Sequence, residues 1–190
     1  MKVLYFTNSD VLDLDTIPQM IRKLGDEVIC ISHAIDLDWV KENKIDFIVS
    51  DRSRFLIKQD LIEYLPKKII NLHPSFLPWN RGYHPNYWSL KEKTPFGVTI
   101  HYIDEGIDTG NLLVQTRLFF NEGDTLKTTY DRLRLAMIGL FEVYWPLIRL
   151  GKLPDSPQEK NTGSIHFKKD FEKTFSTLKD GWDTLVIDLK

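Results

Sequence analysis

The stretch IDFIVSDRSRFLIKQDLIEYLPKKIINLH, residues 45–73, holds the pattern that decides the fold. Its two ends, residues 45–51 and 68–73, are short apolar runs of the kind that form buried strands. Between them, residues 58–66 have the apolar spacing of a helix that ends at Pro66. Parallel strands need such a crossover connection, and it is usually a helix. The stretch therefore predicts one strand–helix–strand unit of a parallel sheet.

The same alternation extends toward the N-terminus. Strands are predicted at residues 2–8 and 27–32, and helices follow them at residues 16–25 and 36–44. This alternation predicts an α/β fold, a Rossmann-like and mostly parallel sheet with helices on both faces. The turn TNSD after the first strand has none of the glycines of a dinucleotide-binding turn, and no Walker-type phosphate loop occurs. The fold therefore does not indicate NAD or ATP.

The second half of the chain continues with a short helix predicted at residues 86–93. Two strands are predicted at residues 97–103 and 111–120, on either side of the turn-rich DEGIDTG. A long helix is predicted from Asp124 to Leu150, because its apolar residues recur every three or four positions.

The predicted long helix also sets the domain boundary. Pro146 should kink its last turns, and Gly151 suits its C-terminal cap. We expect a catalytic domain over residues 1–151. Residues 152–190 are expected to form a short C-terminal tail, packed on the domain or on a partner subunit.

Composition argues against several kinds of partner. The chain has 25 Lys and Arg against 27 Asp and Glu, so neither nucleic acid nor an anionic membrane is an expected partner. The single cysteine, Cys30, lies in an apolar run, which argues against a disulfide framework and a cysteine-based metal site. The N-terminus is typical of a strand and not of a signal peptide, and no apolar run approaches the ~20 residues that span a bilayer. The expected location is the cytoplasm.

Polar residues capable of chemistry stand at the end of the strand at residues 68–73. Asn71 and His73 are two positions apart, so their side chains project from the same side of an extended strand. An Asn amide can donate to an oxyanion, and an imidazole can take a proton from an attacking amine. A structural alternative remains open at this point, since His73 also fits a hydrogen-bonded histidine at a strand end.

A carboxylate is needed to orient that imidazole. The DEGIDTG turn supplies Asp104, Glu105 and Asp108, and each of them equally fits a role in the turn itself. A metal site made of His73, His101 and Asp108 has no supporting ligand spacing, so no metal is expected.

Two motifs together resemble a known family. NLHPSFLPWNRG, residues 71–82, followed by GVTIHYIDEGIDTG, residues 97–110, resembles the formyltransferases that use 10-formyltetrahydrofolate. The resemblance implies the formyltransferase fold and a catalytic triad of Asn71, His73 and Asp108. It also implies the reaction, in which a primary amine attacks the formyl carbon carried by the folate cosubstrate.

The resemblance also implies where the cosubstrate lies. The pterin should contact mainly backbone in two segments, one after the strand at residues 45–51 and one after the strand at residues 97–103. The cofactor-binding residues implied in this way are Arg54, Phe55, Leu56, Tyr102, Ile103 and Asp104.

The length and charge of the chain and the composition of the motifs limit which amines are expected as acceptors. A tRNA acceptor is disfavoured because few residues follow Gly151 and the chain is slightly acidic. A glycinamide ribonucleotide acceptor is disfavoured by the glycine-free, acidic TNSDVLD loop. A glycinamide ribonucleotide-type formyltransferase, a formyl-folate hydrolase and a non-catalytic folate-binding protein remain as alternatives. The motifs look most similar to those of sugar N-formyltransferases, which implies a nucleotide-linked amino sugar as substrate.

Three residues in or directly after the first motif are predicted to bind that substrate. Trp79 and Tyr83, or Trp88 beyond them, can stack on a base or a sugar, and Arg81 can meet a diphosphate. The alternative interpretation of Trp79, and of Trp88 nearby, is that each packs the loop onto the domain. A homodimer is compatible with this sequence.

Overall fold

A computed structural model describes residues 1–8 and 16–189. Most of the TNSDVLD loop, from residue 9 onward, lies outside the described residues. The strands are β1 (Lys2–Thr7), β2 (Glu27–Ile31), β3 (Phe47–Asp51), β4 (Ile69–His73), β5 (Arg81–Gly82), β6 (Gly97–Tyr102), β7 (Leu112–Arg117) and β8 (Ile165–His166). The helices are α1 (Thr16–Lys23), α2 (Leu37–Glu42), α3 (Gln59–Tyr64), α4 (Pro85–Lys91), α5 (Leu126–Ile148) and α6 (Lys168–Phe175), and 3-10 turns follow at Gly181–Asp183 and Val186–Asp188.

Six strands form one mixed sheet in the order β2-β1-β3-β4-β6-β7. The first four of these are parallel, whereas β6 runs antiparallel to both β4 and β7. The predicted α/β class and its mostly parallel sheet are confirmed. β5 and β8 pair in a separate two-stranded sheet, which the sequence pattern did not predict because each strand has only two residues.

Helices cover both faces of the sheet, as predicted. On one face, α1, α4, α5 and α6 contribute to a core cluster that includes Ile21, Tyr87, Met137 and Phe171. On the other face, α2 and α3 contribute to a second cluster. The sheet is therefore buried between two apolar layers, which leaves the strand ends and their loops to carry polar chemistry.

Several element ends differ from the predictions. The strand predicted to reach Phe120 stops at Arg117, and Phe119 beyond it is 77% exposed. The long helix starts at Leu126 because Thr125 caps it, accepting a hydrogen bond from the Thr128 backbone N–H. The C-cap is Arg149 and not the predicted Gly151, which lies two residues further on with a positive φ of 63°.

The tail beyond residue 151 contacts the rest of the chain at several places. β8 pairs with β5, and Phe171 on α6 is buried in the core cluster of α4 and α5. Asp155 accepts hydrogen bonds from Lys67 at 2.8 Å and from Asn111 at 2.6 Å. Among the residues that the structure describes, no helix is long and apolar enough to cross a membrane.

Candidate active site

Two adjacent strands and the loop after one of them form the candidate site. Asn71 and His73 lie at the carboxyl end of β4. β6 runs antiparallel beside it, and its His101 is the register partner of Asn71. The loop after β6 turns back over this point and places Asp108 against all three side chains. The structure therefore brings Asn71, His73 and Asp108 together.

The Asp108 carboxylate is the centre of the site. Its Oδ1 accepts a hydrogen bond from Asn71 Nδ2 at 3.0 Å. Its Oδ2 accepts from the Gly82 backbone N–H at 2.8 Å and lies 3.6 Å from His73 Nδ1. Of the three acids that the sequence left open in this turn, Asp108 is thus the one that meets His73.

The local backbone conformation sets the directions of the Asp108 side chain and of the Gly82 N–H group. Asp108 has φ of 52°, a left-handed conformation that Asp tolerates better than most residues. Gly82 has φ of 87°, and a Cβ built on it would lie 2.3 Å from the backbone oxygen of His166. Only glycine therefore fits between β8 and the N–H group that Asp108 accepts from.

His73 is buried, with a neutral ring that has a defined orientation. Its Nε2 lies 3.0 Å from the backbone oxygen of Asn80, which can only accept, so Nε2 carries the hydrogen. Nδ1 then presents its lone pair on the side of Asp108. Burial lowers the pKa of His73, and the nearby Asp108 charge opposes that shift. His73 can therefore accept a proton at Nδ1 near neutral pH.

Asp108 remains ionised beside it. Burial by itself would raise the pKa of the Asp108 carboxyl, but the positive charge of His73 and His101 in their protonated forms, together with the Gly82 N–H, holds it well below its usual range. An ionised Asp108 is placed to stabilise the imidazolium that forms when His73 takes up a proton.

His101 is a site residue that sequence reasoning considered only as a metal ligand, together with His73 and Asp108, and set aside. It is 1% exposed, and its Nδ1 donates to the Tyr102 backbone oxygen at 2.7 Å. Its Nε2 is then free to accept from Asn71 Nδ2 at 3.3 Å. No sequence signal placed it beside Asn71, because the β4–β6 register that sets it there arises from tertiary pairing.

The predicted folate-binding residues fall in two groups. Phe55 is 41% exposed and stacks on Phe6, and Leu56 is 85% exposed, so both present apolar surface after β3. Arg54 is exposed in the same loop. Tyr102 is buried and Ile103 is half-buried, which leaves mainly backbone to face a ligand.

Asp104 has a structural role within its turn. Its Oδ1 accepts from the Gly106 N–H at 3.1 Å and from Thr109 Oγ1 at 2.6 Å. The side chain therefore closes the loop that carries Asp108, in agreement with the alternative interpretation of this acid as a turn residue.

The predicted substrate-binding residues lie after β4. Tyr83 is 37% exposed, and Trp79 is half-buried. Arg81 donates from Nε and Nη2 to Oε1 of Gln158, at 3.1 and 2.6 Å. Trp88 is buried and stacked on His166 at a centroid distance of 4.1 Å, which supports a packing role for that residue.

Comparison with known proteins identifies the family. Residues 35–141, more than half of the chain, match the family model described as formyl transferase. This chain belongs to the formyl transferase family. The resemblance drawn from the two sequence motifs is confirmed.

Solved structures agree with the family assignment. The formyltransferase PseJ from Anoxybacillus kamchatkensis has a TM-score of 0.91 and 44% identity, over all of this chain and 97% of that one. That protein was crystallised in complex with UDP-4,6-dideoxy-4-formamido-L-AltNAc and tetrahydrofolate. A sugar N-formyltransferase from Shewanella sp. has a TM-score of 0.79 and 22% identity, over all of this chain and 85% of that one, which shows a shared fold.

A relative with a different named activity matches part of this chain. The methionyl-tRNA formyltransferase of Geobacillus sp. (strain WCH70) is 35% identical over 133 residues, or 68% of this chain. The chain spans 42% of the length of that relative.

Proposed function

We propose that this formyl transferase moves the formyl group of 10-formyltetrahydrofolate to the amino group of a nucleotide-linked amino sugar. One observation carries the proposal: Asn71 and His73 face opposite oxygens of a single ionised carboxylate, Asp108, at the carboxyl end of β4. This arrangement supplies a hydrogen-bond donor, a proton acceptor and a countercharge at one place.

In the proposed reaction, the amine nitrogen attacks the formyl carbon and forms a tetrahedral oxyanion. Collapse of this species breaks the bond from the formyl carbon to N10, which takes up a proton and leaves as tetrahydrofolate. His73 accepts the proton that the attacking amine loses, because its Nδ1 lone pair is available. Asp108 stabilises the resulting imidazolium from 3.6 Å.

Asn71 has two N–H groups to distribute. One donates to Asp108 at 3.0 Å, and the other points to His101 Nε2 at 3.3 Å. The second contact is the longer and weaker one, so this N–H is the group that can be shared with the oxyanion. Asn71 and an imidazolium at His73 would then stabilise the negative charge from two directions.

The two cosubstrates are assigned to different loops. The folate is proposed to lie against the backbone of the loops after β3 and β6, with Phe55 and Leu56 offering apolar surface. The acceptor is proposed to lie near Trp79, Arg81 and Tyr83. Gln158 occupies the Nε and Nη2 side of Arg81, which leaves Nη1 to meet a phosphate oxygen.

A nucleotide-linked amino sugar is the preferred acceptor because PseJ, 44% identical over the whole chain, was solved with a uridine diphosphate formamido sugar. Residues 1–151 are proposed as the catalytic domain and residues 152–190 as a tail packed against it. The proposed location is the cytoplasm, where reduced folates and nucleotide sugars are made.

The test measures release of tetrahydrofolate from 10-formyltetrahydrofolate. The assay is run without acceptor, with glycinamide ribonucleotide, and with UDP-linked and dTDP-linked amino sugars. Turnover that requires an amino sugar supports the proposal. Turnover without any acceptor would replace it with hydrolysis, and turnover only with glycinamide ribonucleotide would replace the acceptor class.

Substitutions then test the residues. His73→Ala and Asn71→Ala are each expected to lower kcat by about 100-fold or more, because each removes a group that acts on the reacting atoms. His33→Ala is the matched control, since His33 is exposed and lies two residues beyond the end of β2. Retention of normal kcat by either site variant would contradict the proposed roles.

A further inference from the structure

Gln158, in the tail beyond the matched family region, has an amide that is fully engaged at the site. Its Nε2 donates to the backbone oxygen of Asp108 at 2.7 Å and to that of Gly110 at 2.9 Å. Its Oε1 accepts both hydrogen bonds from Arg81. The carbonyls can only accept and the guanidinium can only donate, so the amide fits in one orientation.

We propose that Gln158 is a positioning residue for formyl transfer, which joins Arg81 to the loop of Asp108 and holds that loop in its reactive geometry. The inference rests on the proposed function, in which Asp108 is a catalytic residue. Gln158 touches no reacting atom in this scheme, and it acts through the backbone of Asp108.

The loop that carries Asp108 needs this restraint because of its local conformation. Asp108 is left-handed, and its carboxylate must meet Asn71 and His73 together. Asp104 closes the N-terminal part of the loop from within. Gln158 binds the carbonyls of Asp108 and Gly110, and it thereby restrains the peptide planes that follow Asp108 and Gly110. A displacement of about 1 Å in such a group is enough to lower a rate substantially.

The tail also supports the Asp108 carboxylate through the pairing of β8 with β5. β8 pairs with β5, and the Gly82 N–H of β5 donates to Asp108 Oδ2. The tail thus supports the backbone of Asp108 directly and its carboxylate indirectly. Residues 142–190 lie outside the matched family region, so this support comes from a part of the chain that the family model does not include.

Three variants test the proposal. Gln158→Ala removes both halves of the bridge. Gln158→Glu keeps an acceptor for Arg81 but sets carboxylate oxygens against the carbonyls of Asp108 and Gly110. Glu159→Ala is the matched control, because Glu159 is the exposed neighbour in the same segment. Turnover with the best acceptor of the panel gives kcat and the KM for the formyl-folate cosubstrate, and tetrahydrofolate affinity and the midpoint of thermal unfolding are measured beside it.

The expected result is a split between turnover and binding. Gln158→Ala and Gln158→Glu should each lower kcat by about 10-fold or more, while the cosubstrate KM and the tetrahydrofolate affinity stay within about threefold of the parent. Glu159→Ala should match the parent throughout. A kcat for Gln158→Ala equal to that of Glu159→Ala would overturn the proposal. So would a full recovery of kcat in Gln158→Glu, or an equal loss of kcat, folate affinity and thermal stability.

Asp108→Asn, measured in parallel, separates this inference from the proposed function. If Asp108→Asn is slow and Gln158→Ala is normal, the inference alone fails. If Asp108→Asn keeps the parental kcat, the role assigned to Asp108 fails, and the positioning role of Gln158 fails with it.

Discussion

At the residue scale, the site depends on how buried charges are partnered. Asp108 is stabilised as an anion by neighbours that donate to it, while burial keeps His73 neutral. Before the reaction, Asp108 is therefore a carboxylate and His73 is a neutral imidazole that can accept a proton. A second buried carboxylate, Asp51 at the end of β3, has partners that stabilise the fold and take no part in the reaction.

The charge state of His73 predicts the pH dependence of turnover. Burial lowers its pKa from the ordinary value of 6.5, so the neutral, proton-accepting form persists below that value. We expect kcat/KM to stay level from pH 8 to about 6.5 and to fall only at lower pH. Asp108→Asn removes the charge that opposes the shift, so its remaining activity should fall at a still lower pH. An acid limb above pH 7 in the parent enzyme would contradict this assignment.

The Asp51 network predicts a large effect on stability. The Asp51 side chain is fully buried, with Arg134 donating at 2.7 and 3.0 Å and Tyr5 Oη at 2.5 Å. Burial and Asp51 together raise the pKa of Tyr5, which keeps the phenol protonated as a donor. Arg134→Met leaves the buried carboxylate with Tyr5 and with the longer contacts of Arg52, at 3.4 Å, and should lower the free energy of unfolding by about 3 kcal/mol.

Urea denaturation followed by fluorescence measures that loss. Arg132→Met is the comparison variant, because Arg132 lies on the same helix and pairs with Asp124, but its side chain is 32% exposed. Its loss should be about 1 kcal/mol or less. Equal losses in the two variants would show that burial of the pair is not the deciding factor.

At the scale of elements, α6 is attached through one aromatic cluster. Phe171 is buried, and its ring stacks on His84 at 4.0 Å and on Phe175 at 4.7 Å. His84 precedes α4 as its N-cap residue, and Trp182 from the following 3-10 turn contacts the same rings. The tail is thus held by packing against the start of α4, close in sequence to Arg81.

Phe171→Ala tests this attachment. Removal of a buried aromatic ring should lower the free energy of unfolding by about 3–5 kcal/mol. Phe167→Ala is the matched control, because Phe167 is the N-cap residue of the same helix and is 52% exposed. Urea denaturation of both variants measures the difference, and similar losses would argue against Phe171 as the anchor of α6.

The same cluster predicts that stability depends on pH. Burial lowers the pKa of His84 to about 4. An unfolded chain, with an ordinary histidine pKa, binds the proton between about pH 6.5 and 4 and the folded chain does not, so the free energy of unfolding falls as pH decreases through that window. The contribution of His84 should be about 1–2 kcal/mol, reduced because the ring is partly exposed.

His84→Asn provides the check, because Asn tolerates the left-handed conformation that His84 adopts and does not titrate. Urea denaturation at pH 7.5 and pH 5 should give a smaller pH difference for this variant than for the parent. An unchanged pH difference would assign the effect to other groups, such as His73.

At the scale of the whole molecule, the fold gathers distant segments at one edge of the sheet. Asn71, His101 and Asp108 come from β4, β6 and the loop after β6, while Gln158 comes from the tail. Another buried carboxylate, Asp26, joins the amino terminus at 3.0 Å to Arg149 just after α5. Ion pairs and hydrogen bonds thus connect the region of the first strands with the end of the longest helix, and the tail with the loop after β6.

Periodicity and local chemistry were enough to predict much of this protein from its sequence. The strands β1 to β4 and the helices between them follow from apolar runs and helix-ending residues such as Gly25 and Pro66, because those signals act over a few neighbouring residues. Asn71 and His73 could be placed on one side of a strand for the same reason. The choice of Asp108 over the other acids of its turn came from the family resemblance and not from spacing.

Tertiary structure decided what depends on distant pairing. The antiparallel register of β4 and β6 placed His101 beside Asn71, and the β5–β8 pairing placed Gly82 on Asp108. Gln158 lies 50 residues from the carbonyl that it binds, and no local pattern marks such a partner. The sequence by itself determined the strands β1 to β4, the helices between them and the reacting groups, because propensity and side-chain chemistry are local. The geometry of those groups arises only when burial of two apolar layers brings separate segments together.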